Sequence, residues 1–505
     1  MNVAFAGFSV MNGMKMGMNK QKPLVLCMRP NEINTLPEAF EARIHAQFGA
    51  SAISFLQALS TEAPISVRLN PAYHSISTHL PDYEPVSWST GGFYLPSRPI
   101  FGRDPLFHAG GYYVQEASSM AAGHFYSLLR KLLPQRGLLI LDACAAPGGK
   151  STHILSEMDS EDLLIANEYV KSRYPILTEN LVKWGYPNQM ITQSEPKQLL
   201  QAGLRFDLIL ADAPCSGEGL FRKDPESRKE WSEEQVHICA LRQTSILESL
   251  VPMLNPGGIL IYSTCTFSPE ENEAQMQNLH ALGMRCITPV SDAMSGWERV
   301  EPESHLLGWR SRPDYVKGEG FFITAFQNTS SAAAIEEVTE TRNDSKSRKN
   351  KLPQVMEQRP FQLPANLRYQ QDKDGMLRIE HTQAILIREK LESKHIPYRS
   401  GIRAGLYKSQ KFIPDAEMAF WKQLPASSFQ KIHVSHGDAM RYLRRDVLSE
   451  YSTPERSGIY LVCHQGMGLG WANLSGNRFN NLYPMQWRLR DASESPLIPF
   501  PEEQQ

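Results

Sequence analysis

Nowhere in these 505 residues does an apolar run approach the roughly 18 residues that a membrane-spanning helix needs, so no membrane partner is expected. Cysteine is scarce, with 7 in the chain and none spaced Cys-x-x-Cys. That excludes a disulfide framework and gives no reason to expect a metal site; free thiols in a reducing cytoplasm are the expectation. The turn after the first strand of the α/β pattern fits neither GxGxxG nor GxxxxGK[ST], which weighs against dinucleotide and nucleoside triphosphate binding. Basic residues are missing ahead of the apolar run Val3 to Met11, and no clear small-residue cleavage site follows it, so a secretory leader is not expected. Met1, Met11, Met14, Met16 and Met18 crowd this end, which leaves a start further along the chain open. Internal repeats and coiled-coil heptads are lacking too, and a monomer is expected.

What is present describes a soluble globular chain: 41% hydrophobic and 21% charged residues, mean hydropathy −0.37, and a length suited to about three domains. Composition shifts most sharply at Ser330 to Gln354, a polar, charged stretch without apolar periodicity that reads as a linker. Before it, short apolar runs at Gly137 to Ala143, Leu163 to Glu168, Met190 to Gln193, Phe206 to Ala213, Ile259 to Thr266 and Gly320 to Phe326 alternate with helix-length spacers. This is the pattern of βαβ units and a parallel sheet covered on both faces. Pro256-Gly257-Gly258 is expected to end a helix over Ser232 to Leu254 and turn the chain into the next strand. Leu36 to Phe125 reads as a small α+β subdomain, opening on helix from Pro37 to Leu59 and carrying a strand at Ile65 to Leu69. Beyond the linker, one helix is expected at Gln383 to Ser393, then short β runs. Residues 361–490 hold 19 Lys and Arg against 11 Asp and Glu, while the whole chain has net charge −2. The basic module fits either a polyanionic partner or a solvated surface.

Three segments carry candidate chemistry. The first strand runs into Asp142-Ala-Cys-Ala-Ala-Pro-Gly-Gly-Lys-Ser151 before a helix, and Glu168 follows 26 residues after Asp142. A glycine turn lets a ligand approach backbone and helix N-terminus, and an acid there can take both hydroxyls of a ribose; a plain tight turn would read the same. Next, FDLILADAPCSGEG (206–219) delivers Asp212, Pro214 and Cys215 to the carboxyl end of a buried strand, where α/β sheets bind their ligands. ILIYSTCTFSPEENE (259–273) delivers Cys265 in the same manner. Cys27, Cys239, Cys286 and Cys463 are expected to be buried as small hydrophobes, whereas Cys215 and Cys265, beside polar turns, are expected to do thiol chemistry.

ACAAPGGKST (143–152), ADAPCSGEG (211–219) and YSTCTFSPEENE (262–273) resemble the NOP2/Sun family of RNA cytosine-C5 methyltransferases. The likeness extends through SVRLN (66–70), YYVQEASSM (112–120) and GEGFFITAF (318–326); GIRAGLYKSQKFIPDAEMA (401–419) and GLGWANLSGNRFNNLYPMQWRLR (468–490) resemble the C-terminal region of bacterial members that modify small-subunit ribosomal RNA. The resemblance implies an α/β, Rossmann-like S-adenosylmethionine-dependent methyltransferase core at 126–328, preceded by a poorly structured 1–29 and an α+β RNA-binding subdomain at 30–125. A linker at 329–360 and a mixed, β-rich, PUA-like RNA-binding region at 361–500 follow. It implies Cys265 as the nucleophile that adds to carbon 6 of cytosine, and Cys215 as the residue assisting proton loss and release. Asp212 is implied on the base edge or the cofactor. The same resemblance puts Cys144, Ala145, Ala146, Pro147, Gly148, Gly149 and Lys150 around the methionine part of the cofactor, Glu168 on its ribose and Glu195 near its adenine, where the family usually has an aspartate. Arg68, Asn70, Arg222 and Lys223 are candidate RNA contacts, with Trp471, Phe479, Tyr483 and Trp487 among Arg478, Arg488 and Arg490 as a stacking surface. The implied partner is RNA with an unstacked cytosine, from 16S ribosomal RNA or the 30S subunit and not DNA; transfer RNA, or a binding-only role in ribosome assembly, are the alternatives.

Overall fold

Residues 35–73, 83–330, 359–448, 457–476 and 478–490 are described by a computed structural model. The expected amino-terminal segment 1–29 and nearly all of the linker 329–360 lie outside them.

Parallel strands β4 (Leu139–Asp142), β5 (Leu163–Asn167), β6 (Gln189–Thr192), β7 (Phe206–Asp212) and β8 (Leu254–Thr264) build the centre of a ten-stranded sheet. Their residues are buried almost without alternation, as continuous apolar runs covered on both faces must be. Helices Gly149–Glu157, Tyr174–Trp184 and Glu233–Leu250 supply part of that cover. β4 pairs with β5 on one side and β7 on the other, and β7 pairs with β8. The order therefore reverses at β4, opening a crevice at the carboxyl ends of β4 and β7. Beyond β8 the sheet turns antiparallel through β12 (Phe321–Asn328), β11 (Gly308–Ser311) and β10 (Glu298–Val300), and β9 (Met284–Cys286) also pairs with β12.

Pro256-Gly257-Gly258 does not separate helix from strand as expected. The helix stops at Leu250, a tight turn covers Val251–Met253, and the Pro-Gly-Gly lies within β8. The register against β7 slips there, between Phe206 and Leu208, so the glycines loosen a strand that the proline was expected to delay.

Upstream, the expected single helix is two, Glu38–Phe48 and Ala52–Ala58. Phe40 packs edge-on to Phe221 at 4.9 Å, and Phe55 edge-on to Phe267 at 4.7 Å, so these helices brace the loops beyond Cys215 and Cys265. β1 (Ile65–Leu69), β2 (Gly92–Leu95) and β3 (Tyr112–Tyr113) form a small antiparallel sheet.

Past the linker, β13 (Leu367–Gln371), β14 (Leu377–His381), β16 (Ile402–Lys408) and β17 (Lys411–Pro414) form one four-stranded sheet. A second contains β18 (Gln430–His433), β19 (Ser457–His464), β20 (Met467–Ser475) and β21 (Arg478–Asn481). The expected helix is Ala384–Ser393, and after it β15 (Tyr398–Ser400) leaves the C-terminal sheets to pair antiparallel with β6. Val67, Leu69 and Tyr112 of the N-terminal sheet share one apolar core with Ala439, Leu443, Met467 and Leu469. The C-terminal region is thus not a free-standing module. Among the described residues no helix is long and apolar enough to cross a membrane.

Candidate active site

β7 and β8 run side by side in parallel, with Asp212 opposite Ser263, so the loops that leave them emerge together. The sulfurs of Cys215 and Cys265 lie 3.2 Å apart, and the amide of Cys265 donates to the Cys215 sulfur at 3.3 Å. One residue further on, the hydroxyls of Ser216 and Thr266 meet at 2.9 Å. Backbone bonds from Ala213 N to Ser263 O and from Gly219 N to Cys265 O, each 2.9 Å, complete the stitching. Gly219 is required by this approach: a Cβ there would sit 2.4 Å from Gly320 O and 2.9 Å from Cys265 O. Both thiols are half-buried and free. Contact with Cys265, then burial, pushes the Cys215 thiol well up, and the charge of Glu271 adds to that.

Asp212 accepts from Lys150 Nζ at 2.8 Å through Oδ2 and from Ser263 Oγ at 2.8 Å through Oδ1. Its carboxylate remains 29% exposed, enough to meet a ligand. Burial pulls the Lys150 ammonium down, but Asp212 and, more weakly, Cys265 more than offset it and hold its pKa above the ordinary lysine value. Lys150 is therefore the cation paired with Asp212 beside the two thiols.

Two buried acids went unnoticed in the sequence although both stand inside the cysteine motifs. Glu218 accepts from Thr266 Oγ1 at 2.8 Å, Phe267 N at 2.9 Å, Ser268 Oγ at 2.6 Å and Trp231 Nε1 at 3.0 Å. Glu271 accepts from Ser216 N at 3.0 Å, the Ser216 hydroxyl and Gln243 Nε2 at 2.8 Å; burial pushes its carboxyl up to about 7. Their only sequence signal was an acid a few residues past each cysteine.

The turn Cys144 to Lys150 leads from β4 into the helix Gly149–Glu157, with Gly148 at φ 113°, a left-handed conformation that favours glycine. The turn hangs on its neighbours: Ala143 N donates to Leu210 O at 2.9 Å, Ala145 N to Asn167 O at 2.8 Å and Ala146 N to Glu168 Oε2 at 3.3 Å. Glu168 also accepts from Val170 N at 2.7 Å, and its two oxygens keep acceptor capacity beyond these bonds. Pro147 is exposed, and Cys144 is half-buried with its thiol pushed up by burial and by Asp142. Burial raises Asp142 to about 7, while Ser151 Oγ at 2.6 Å opposes the shift. Glu195 stands apart from this group: it is exposed at the start of the helix Pro196–Gln201, where its amide bonds to Gln198 Oε1 at 2.9 Å.

Three of the four candidate RNA contacts are spent inside the fold. Arg68 is 1% exposed, donates to Gln115 Oε1, Ser156 Oγ, Gly149 O and Thr152 Oγ1, and stacks on Trp184. Asn70 is equally buried and donates to Gly110 O and Trp184 O. Arg222 pairs with Glu319 through Nε and reaches Gly318 O at 2.7 Å. These groups were polar in the sequence because they tie layers together, and of the four only Lys223 is exposed. Trp471 and Tyr483 are likewise core, not a stacking surface, and Phe479 and Trp487 pack against the core that holds Tyr483. Nearby, Arg444, Asp446, Met485, Arg488, Leu489 and Arg490 line a cavity of about 470 Å³. Cys239 and Cys463 are buried as expected, Cys286 is half-buried, and Cys27 lies outside the described residues.

Comparison with known proteins matches residues 129–327 to the 16S rRNA methyltransferase RsmB/F family, 36–117 to the N-terminal domain of 16S rRNA methyltransferase RsmF and 429–489 to the methyltransferase RsmF PUA domain. The ribosomal RNA small subunit methyltransferase F of Citrobacter koseri is 30% identical over 458 residues, 86% of this chain and 92% of that protein. The protein of the same name from Aeromonas salmonicida is 37% identical over 273 residues, 51% of this chain; the match spans only 56% of that relative's length. Among solved structures, that of PH0851 superposes with a TM-score of 0.52 at 22% identity, over 61% of this chain and 70% of that one, a likeness of fold.

Proposed function

The chain belongs to the ribosomal RNA small subunit methyltransferase F family, and from that premise we propose that it methylates carbon 5 of a cytosine in 16S ribosomal RNA, using S-adenosylmethionine, in the cytoplasm. The observation that carries the reading is the pair of free thiols 3.2 Å apart beside the Asp212–Lys150 pair at the carboxyl edge of the sheet. Carbon 5 of cytosine is a poor nucleophile, and a covalent bond at carbon 6 divides one hard step into easier ones.

The Cys144 to Lys150 turn and Glu168 fit the cofactor: a left-handed glycine opens the strand-to-helix turn, and a carboxylate with unused lone pairs ends the next strand. Asp212 lies within reach of either cofactor or base, whereas the exposed, helix-opening place of Glu195 favours no adenine contact. When bound, S-adenosylmethionine supplies the methyl group that carbon 5 receives. Cys265 adds its sulfur to carbon 6, and Asp212, held by Lys150 and Ser263, stabilises the charge that builds on the ring nitrogen. Cys215 then assists loss of the carbon 5 proton to water; the electron pair of the broken carbon 5–hydrogen bond closes the 5,6 double bond, the Cys265–carbon 6 bond breaks and that pair returns to sulfur. The target base must leave its stack to reach these half-buried thiols.

The test is transfer of labelled methyl from S-adenosylmethionine to total RNA and to purified 30S subunits, by wild type and Cys265→Ala, with nucleoside analysis. Label in 5-methylcytosine that vanishes in the variant, with cofactor affinity retained, is the expected result. Cofactor binding without label on either RNA would move the weight to a binding-only role.

A further inference from the structure

The two acids missed in the sequence are exchanged between the cysteine loops. Glu218 follows Cys215 in the chain yet binds Thr266, Phe267 and Ser268 of the Cys265 loop. Glu271 follows Cys265 yet binds Ser216 of the Cys215 loop through both carboxylate oxygens. Glu271 is fully buried, and Gln243 Nε2 divides its protons between Glu271 Oε2 at 2.8 Å and Pro214 O at 3.0 Å. Cys215 is thereby gripped on both sides, at the carbonyl before it and the amide after it. Tyr262 Oη, from the strand that delivers Cys265, donates to Glu271 O at 2.7 Å and fixes the clamp to that strand.

We propose that Glu271 is a positioning residue for Cys215, setting the second thiol against Cys265 for release of the methylated base. The inference rests on the release role proposed above for Cys215. Glu271 touches no reacting atom; it acts through the Pro214 to Ser216 backbone. A buried carboxylate with three donors is an exacting way to hold a loop, because each donor left unpaired is costly. A loop of apolar contacts would hold the same segment less precisely, and thiol placement to a fraction of an ångström matters for rate.

The experiment uses the full chain with Glu271→Gln, Ser216→Ala and Cys215→Ala, reading single-turnover methyl transfer, KM for RNA and the covalent enzyme–RNA band on a denaturing gel. Glu271→Gln is expected to slow release on the order of tenfold to a hundredfold, so that the band accumulates, while methyl transfer and KM stay within about threefold. Ser216→Ala, which removes one donor to Glu271 together with the Thr266 contact, is expected to give a weaker band and decides the matter should Glu271→Gln fail to fold. A band with Cys215→Ala but wild-type release in the folded Glu271 or Ser216 variants overturns the positioning role. Equal loss of methyl transfer and release, with a raised KM, also overturns it in favour of a merely structural part. If Cys215→Ala itself gives no band although RNA binds, the release reading on which the proposal rests has failed instead.

Discussion

The sulfurs of Cys215 and Cys265 are 3.2 Å apart, yet they face groups of opposite charge: Glu271 bears on Cys215, and the Lys150 ammonium on Cys265. The charge of Glu271 adds to the upward push on the Cys215 thiol. Two chemically identical side chains in contact thus stand in different surroundings.

Cys215→Ala is expected to leave enzyme covalently on RNA, visible as a slow-migrating band, because Cys265 can still add but release is impaired. Cys215→Ala combined with Cys265→Ala is expected to show no band. A band in the double variant would mean that another residue forms the bond.

Glu218→Ala is expected to destabilise the protein by roughly 3 kcal/mol or more, since it strands donors of Thr266, Phe267, Ser268 and Trp231 inside the fold. Urea unfolding of the variant against wild type measures this. A change under about 0.5 kcal/mol would place those donors in water and contradict the burial of Glu218.

Gly320→Ala drives a Cβ to 2.3 Å from the Phe267 ring and 2.8 Å from the Gly219 Cα. Backbone must shift, at about 1–3 kcal/mol, and the shift bears on the Cys265 loop. The expected outcome is a lower unfolding midpoint together with slower methyl transfer; full activity at unchanged stability would contradict the close approach.

Asp142, raised to about 7 by burial, keeps its proton in the folded chain over a range where the unfolded chain, with an ordinary carboxyl pKa of about 4, has lost it. The stability this group contributes is fully present below about pH 4 and is lost as pH rises to about 7. Asp142→Asn cannot titrate. Its stability relative to wild type is therefore expected to climb by on the order of 1.4 kcal/mol per pH unit across that window, read from urea unfolding at pH 5 and pH 7. A constant difference would show that Asp142 is ionised throughout.

The core strands were legible because buried parallel strands leave near-continuous apolar runs, and the thiols because they sit where such runs end. Pro256-Gly257-Gly258 misled because turn chemistry is local, whereas pairing with β7 carried the strand through it. Arg68, Asn70 and Arg222 misled for a related reason: a polar side chain looks the same in sequence whether it meets RNA or satisfies buried carbonyls and carboxylates. The exchange of Glu218 and Glu271 depends on which loops become neighbours, and no spacing within either motif encodes that.

The short strand Tyr398–Ser400 that closes the catalytic sheet against β6 has a bearing on how the protein would survive a nick. A chain cut once between residues 330 and 359 would still hold its two pieces by a shared β ladder and by the common core of Val67, Leu69 and Met467. It would travel as one particle on a sizing column and separate only under denaturant. The same strand occupies the hydrogen-bonding edge that β6 would otherwise offer to a foreign chain, so the end of the central sheet is capped by the C-terminal part of the same chain.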